Sequence, residues 1–221
     1  MRPLFLAFAF ALAACVSAPG AANAPAPFTV EQAAGAPTAA PDTPLALPAG
    51  EYRLDPRHAS VLFRIRHQGL AWFTARFDSI DATITLDPQN PTQSELRASV
   101  DPTSVNTGVL SANGARNFDR QIGEALGAAA TPQISFVSTS ITRTGEFTGR
   151  ITGDLTMNGQ THPVTFDVTY AGGRTDPLRG ATAVGFSANA IIQRSQWGVT
   201  QWSMFTSDEV QLVIEAEFVK A

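Results

Sequence analysis

From Glu51 onward, apolar and polar residues alternate with a period of two. In SVLFRIRHQ, Val61, Phe63, Ile65 and His67 fall on one side, and Leu62, Arg64 and Arg66 on the other. SIDATITLD sets Ile80, Ala82, Ile84 and Leu86 against Asp81, Thr83, Thr85 and Asp87. EVQLVIEAEFV sets Val210, Leu212, Ile214, Ala216 and Phe218 against Glu209, Gln211 and Glu215. Alternation of this kind marks strands with one wet and one dry face. It predicts strands over 52–54 with 59–68, 72–87, 94–101, 133–142, 146–157, 162–171, 181–194 and 207–219.

Turn chemistry separates these runs. Asn158-Gly159 is a strong hairpin signal, because both residues tolerate positive φ. Asp87-Pro88, Ala171-Gly172-Gly173 and Asp176-Pro177 punctuate others. One segment alone reads as helix: in ARNFDRQIGEALGAA, Phe118, Ile122 and Leu126 recur at i, i+4 and i+8, with Gly127 near the end. No repeat of domain-building length is present, which argues against propellers and solenoids.

The fold class expected is all-β: an antiparallel barrel of about eight strands with one short helix. So many antiparallel strands must hide their edges, and closure is the simplest route. A two-sheet sandwich shows the same alternation and stays open on pattern alone. A barrel of this size either fills with side chains or holds one small ligand. The 14 phenylalanines against two tyrosines suit a dry interior, and an ordinary core equally well.

The first fifty residues have a different character. Met1-Arg2 gives a short positive start, and residues 4–14, LFLAFAFALAA, form an apolar run of signal-peptide length. That run is shorter than the roughly 20 residues a membrane-spanning helix needs. Leu12-Ala13-Ala14-Cys15 resembles the bacterial lipobox, in which the cysteine is acylated and becomes the new N-terminus. More than one acyl chain is what stable anchoring requires. A plain secretory signal with a chance cysteine is the alternative. Residues 16–49 hold seven of the 15 prolines and almost no charge. Such Ala/Pro/Gly composition reads as a semi-extended tether. The expected organisation is a signal peptide over 1–14, a lipidated Cys15 with its linker to 49, and a β domain over 50–221. Valine follows the cysteine, and by resemblance to enterobacterial sorting this favours the outer membrane.

Composition narrows the chemistry. The net charge is −4, and no basic cluster is present, so nucleic acid is an improbable partner. A single cysteine rules out an intramolecular disulfide and multi-cysteine metal sites. The three histidines, His58, His67 and His162, have no metal-ligand spacing. His162, beside Pro163 and a turn, is expected in solvent. His67 shares a face with Phe63 and Ile65, where it would meet a ligand head group or a backbone carbonyl. GFSAN around Ser187 lacks the last glycine of a nucleophile elbow and lies in a strand. Asp55, His58 and Ser60 make a triad only on paper, since sequence-adjacent members rarely reach the geometry and Asp55-Pro56 reads as a turn. Arg194-Ser195 and Ser207-Asp208 are expected to make ladder-end hydrogen bonds or to hold a barrel rim. Trp197 and Trp202 flank Gly198 in a segment expected at the mouth, where they would gate or pack.

The spaced motifs resemble those of the YceI-like family. The likeness begins at YRLDPRHASVLFRIRH, with Tyr52, Asp55, His58, Ser60, Phe63 and His67. It continues through DPTSVNTG, NFD at 117–119, TPQISF, ITGDLTMNGQTHPVTF, GFSANAIIQRSQWG and SDEVQLVIEAE, and covers essentially all of 51–221. The sequence departs at Ala75-Arg76-Phe77 and Ala82, where the family more often has glycines, and in DRQIGEALGAAATP after Phe118. The resemblance implies a lipocalin-like barrel that binds a long apolar lipid, a polyisoprenoid, isoprenoid quinone or fatty-acid derivative, with no catalytic residues, metal or other cofactor. On that reading the cavity lining is Phe63, Ile65, Phe77, Ile84, Ile134, Phe136, Leu155, Phe166, Phe186 and Ile214, with His67. The partners expected are that lipid and, through Cys15, the membrane. Oligomeric state stays open, a homodimer included. An envelope hydrolase or isomerase built on Asp55, His58 or Ser187, or a structural stress-protective lipoprotein, are the competing readings.

Overall fold

Tyr52 and Leu54 are apolar at even positions, whereas Val61, Phe63 and Ile65 are apolar at odd ones. One strand can turn both sets inward only if extra residues are inserted between them. The computed structural model, which describes residues 45–221 apart from 130, 176, 178 and 179, shows that insertion. Strand β1 runs Gly50–His67, and against its partner Leu54 pairs with Phe218 and Ala59 with Ala216. Asp55-Pro56-Arg57-His58 therefore bulges out of β1 and is not a chain-reversing turn.

Asp55 holds this bulge. It is buried, its carboxylate accepts from the Arg57 backbone N–H at 3.1 Å, and it meets His58 Nδ1 at 3.0 Å. The Arg57 N–H, then the His58 ring and the Arg57 charge, hold its pKa at about 2 against burial, below the usual 3.8. A depressed carboxylate stabilises the fold fully above its unfolded pKa, and that stabilisation fades as pH falls through the folded value. Asp55→Asn is therefore expected to lower stability by roughly 2 kcal/mol at neutral pH. The gap from wild type should close between about pH 4 and pH 2 in urea titrations.

The remaining elements are β2 (Ala71–Phe77), β3 (Ile80–Leu86), β4 (Glu95–Val100), β5 (Val105–Asn106), α1 (Asn117–Ala125), β6 (Ile134–Arg143), β7 (Thr148–Met157), β8 (Gln160–Thr175), β9 (Thr182–Gln193) and β10 (Thr206–Lys220). Sheet order is β10-β9-β8-β7-β6-β4-β3-β1-β2-β5, and pairing of β10 with β1 closes the ring. Eight strands form the barrel (β1, β3, β4 and β6–β10), and all their pairings are antiparallel. The barrel is thus closed, and the sandwich alternative falls.

The run 72–87, read as one strand, is two. Phe77 and Ile80 both turn inward, which an unbroken strand does not permit, and Asp78-Ser79 makes the step. The Asp78 N–H donates to the Ser104 carbonyl and the Ser79 N–H to Ser104 Oγ, both at 3.0 Å. β1 changes neighbour here: its first residues pair with β3 and its last with β2. The kink falls at neither Ala75 nor Ala82, both buried in the core. The two-residue β5, which pairs with Arg76 and Phe77, was not legible in the pattern.

Glycine is required where backbones or rings come closest. Gly127 ends α1 at φ +83°, and a Cβ there would lie 2.3 Å from Asn158 Oδ1 in the β7–β8 turn. Gly153 faces inward on β7 under the Phe136 ring, where a Cβ would stand 2.5 Å from ring carbon Cζ and 2.4 Å from the Val137 carbonyl oxygen. Gly153→Ala should push Phe136 off its position and cost about 1–3 kcal/mol, read as a shift in urea midpoint.

Candidate functional site

The inward faces leave a space at the centre. An internal cavity of about 540 Å³ runs between the strands, with walls that are almost wholly carbon. Phe63, Ile65, His67, Phe77, Ile84, Ile134, Phe136, Leu155, Phe166, Phe186 and Ile214, every residue expected to face inward, line it together. Registers put them in rings: Val61 stands between Ile214 and Phe77, Phe136 opposite Leu155, and Ile214 opposite Ala188. Aromatic edges lock the wall, with Phe136 and Phe166 edge-to-face at 5.2 Å and Phe63 and Phe77 tilted at 5.5 Å.

Other lining residues escaped the sequence reading. Ile141 and Arg143 face the cavity because a bulge at Ser138–Ser140 shifts the parity of β6. Phe118, Ile122 and Leu126 were legible as a helix face. What that face covers was not: it lies on the upper end of the barrel as cavity wall. The signal was present, since an apolar helix stripe beside a barrel must be buried somewhere. Phe73 joins this group, edge-to-face with Phe118 at 5.7 Å.

The upper end is held by two buried polar knots. Asp119 on α1 accepts from the Thr107 N–H at 3.0 Å and from Thr107 Oγ1 at 2.5 Å, and also from Arg116 Nε. Burial raises its pKa, but the Thr107 hydroxyl and N–H and the Arg116 charge outweigh this and lower it. The NFD and DPTSVNTG motifs therefore meet, tying the helix to β5. Arg194 is the second knot, buried, donating to the carbonyls of Val199 (2.8 Å), Gln201 (2.7 Å) and Ser207 (3.0 Å) and to Thr206 Oγ1 (3.0 Å). Burial lowers its pKa and Asp208 opposes that shift. Asp208 in turn accepts from Ser195 N and Oγ at 2.8 and 2.6 Å.

These knots place the partly exposed Trp202 and Phe205 in the cavity wall at its upper end, beside His67, while Glu146 and the exposed Phe147 of the β6–β7 turn line the lower end. Trp202 takes φ +56°, a strained setting for a bulky residue, and packs edge-on against Phe118 at 6.1 Å. Trp197 is not at the mouth. It is 1% exposed, and its indole N–H donates to the Leu155 carbonyl at 3.0 Å. His162 is half-buried against it, edge-on at 5.2 Å, and so does not stand free in solvent as expected. At the lower end Leu45, Leu47 and the fully buried Tyr52 pack together, and Tyr52 donates to the Pro48 carbonyl at 2.7 Å.

The alternative chemistries find little geometry. Ser187 Oγ donates to Glu215 at 2.6 Å, and its hydrogen bond is to a carboxylate, not to a histidine. His58 pairs with Asp55 on the outside of the barrel, with Glu217 at 3.7 Å. Among the described residues no group of three His, Cys, Asp or Glu side chains converges, and no helix is long and apolar enough to cross a membrane. Cys15 and residues 1–44 lie outside the described residues.

A closed antiparallel barrel around one large apolar cavity defines a cavity-barrel protein of the lipocalin-like kind. The chain belongs to the YceI-like domain family, which it matches over residues 52–218. It is 36% identical over 174 residues to Protein YceI of Salmonella arizonae, covering 78% of this chain and 88% of the relative. Burkholderia cenocepacia BcnA shares the fold at a TM-score of 0.64 and 23% identity, over 74% of this chain and 98% of BcnA. A polyisoprenoid-binding domain from Saccharophagus degradans does so at 0.55 and 13% identity, over 76% of this chain and 97% of the domain.

Proposed function

We propose that this protein binds one long apolar lipid inside its barrel, a polyisoprenoid, an isoprenoid quinone or a fatty-acid derivative, and stores or carries it in the bacterial cell envelope. The observation that carries the reading is the carbon-walled cavity of about 540 Å³, within the range of small-molecule sites. The polyisoprenoid-binding domain of Saccharophagus degradans, alike in fold, supports it. Burial supplies the affinity: a chain hiding on the order of 500 Å² gains roughly 12 kcal/mol before association and ordering costs are subtracted. No charged contact is needed for that, and His67, exposed at the upper end, is the polar group that would meet a head group. Binding is favoured over catalysis because, among the described residues, no hydrogen-bonded nucleophile–base pair lines the cavity.

Purified protein stripped of lipid should gain thermal stability on adding polyprenols or quinones, with half-saturation near stoichiometry. No gain with any long-chain lipid would overturn the reading. By the same proposal, acylated Cys15 anchors the mature chain. Intact mass of membrane-extracted protein should show a chain beginning at Cys15 with a diacylglyceryl group; a free Cys15 thiol would contradict it.

A further inference from the structure

The upper end of the barrel carries apolar side chains that nothing among the described residues covers. Leu70, at the tip of the β1–β2 hairpin, is 79% exposed, and Met204 is 89% exposed. Gln68 and Gly69 take positive φ of 51° and 71° to form that tip. The two tips are joined, since the Gln68 N–H donates to the Phe205 carbonyl at 2.7 Å. Phe205 and Trp202, also exposed, sit in the same turn and line the upper end of the cavity. Exposed leucine, methionine, phenylalanine and tryptophan clustered on turn tips are unusual on a soluble surface.

Just below the tip the chemistry changes. Arg64 and Arg66, on the outer face of β1, stack over Trp72 of β2 with guanidinium-to-ring distances of 5.1 and 4.5 Å. Neither is ion-paired with a carboxylate among the described residues. At this end Glu124 is paired with Arg120, Asp208 accepts from Ser195 and keeps its charge, and Glu209 of β10 is a second carboxylate. Arg66 pairs with Trp72, one register step below the His67–Ala71 pair from which the tip projects, so it lies less than about 10 Å beneath Leu70, within the depth to which interfacial segments sink their apolar side. Apolar tips with a cationic and indole collar beneath them match a bilayer surface: acyl boundary for the tips, phosphate headgroups for the arginines.

We propose that this rim docks on an anionic phospholipid bilayer, placing the upper end of the cavity against the acyl region so that the ligand moves between membrane and barrel past Trp202 and Phe205 without crossing water. The proposal takes its purpose, though not its geometry, from the reading of the cavity as a lipid site. Described residues begin at Leu45, packed at the opposite end of the barrel. The 30 residues from Cys15 to Pro44 span up to roughly 90 Å if extended, against roughly 60 Å for the 18-residue β1. An anchored N-terminus therefore leaves the rim free to turn back to the same membrane.

The test uses residues 45–221, which close on themselves as a barrel and contain the whole of the matched domain, residues 52–218. This domain is sedimented with vesicles of phosphatidylcholine alone or mixed equally with phosphatidylglycerol. It should bind the mixed vesicles more tightly, L70S/M204S should bind both at least roughly tenfold more weakly, and R64Q/R66Q should lose only the preference for phosphatidylglycerol. Failure of the wild-type domain to bind, or unchanged binding by L70S/M204S, overturns the proposal. So does a wild-type dimer that L70S/M204S converts to monomer, since the rim would then join two copies. Native mass spectra of the same samples separate the two ideas: an empty cavity beside intact vesicle binding upholds docking and sinks only the cavity reading.

Discussion

Ala188→Trp is expected to abolish retention of a long apolar ligand while leaving the barrel folded. Ala188 faces the cavity from β9, between Val168 and Ile214 in the register. An indole there projects into empty space, so the overpacking cost should stay below about 3 kcal/mol. It stands between the two ends of the cavity, where a long chain must lie. At least a hundredfold weaker binding is expected, on the order of 3 kcal/mol, in titrations with a fluorescent polyene fatty acid or a quinone. Phe186→Asp would also empty the cavity, but a carboxylate in an apolar wall threatens the fold itself. A folded Ala188→Trp domain that binds as tightly as wild type would place the ligand outside the barrel.

Arg194→Met should give the largest loss of stability. Methionine keeps much of the stem but leaves the carbonyls of Val199, Gln201 and Ser207 without their donor. Breaking a buried, fully bonded charge of this kind costs about 3–5 kcal/mol, or roughly 10 °C in melting temperature for a domain this size. The loss falls on the segment that carries Trp202 and Phe205, so ligand release should quicken as well. Arg194→Lys, able to reach some of those carbonyls, should recover part of the melting temperature. An Arg194→Met melting temperature within about a degree of wild type would remove this knot from the account.

Much of this was legible because a closed barrel obeys a simple rule. Each strand hides one face, and alternation identifies it, so the eleven residues from Phe63 to Ile214 chosen by parity all meet around one cavity. Parity arguments fail where the backbone changes phase. The bulge at Ser138–Ser140 turned Ile141 and Arg143 inward, and the step at Asp78-Ser79 made two strands of one. At 55–58 the interruption between 52–54 and 59–68 was legible, but Asp55-Pro56 reads as a turn where the backbone bulges within one strand. Long-range partners were hidden for a different reason. Asp119 meets Thr107, and Arg194 meets Val199 and Gln201, through hydrogen bonds that depend on where loops return in space, which periodicity does not encode. Trp197 and Trp202 show the same limit: five residues apart in one loop, one is sealed against Leu155 and the other stands at the upper end of the cavity.

The claim at the centre of this account is that the cavity exists to be filled by a lipid. The most direct measurement is a native mass spectrum of wild-type protein produced in a bacterial envelope and purified without added lipid, with an organic extract of the same sample to name what is released. The account predicts one apolar adduct per barrel, lost from the Ala188→Trp variant. A folded wild-type barrel that carries no adduct and yields no long-chain lipid on extraction would contradict it.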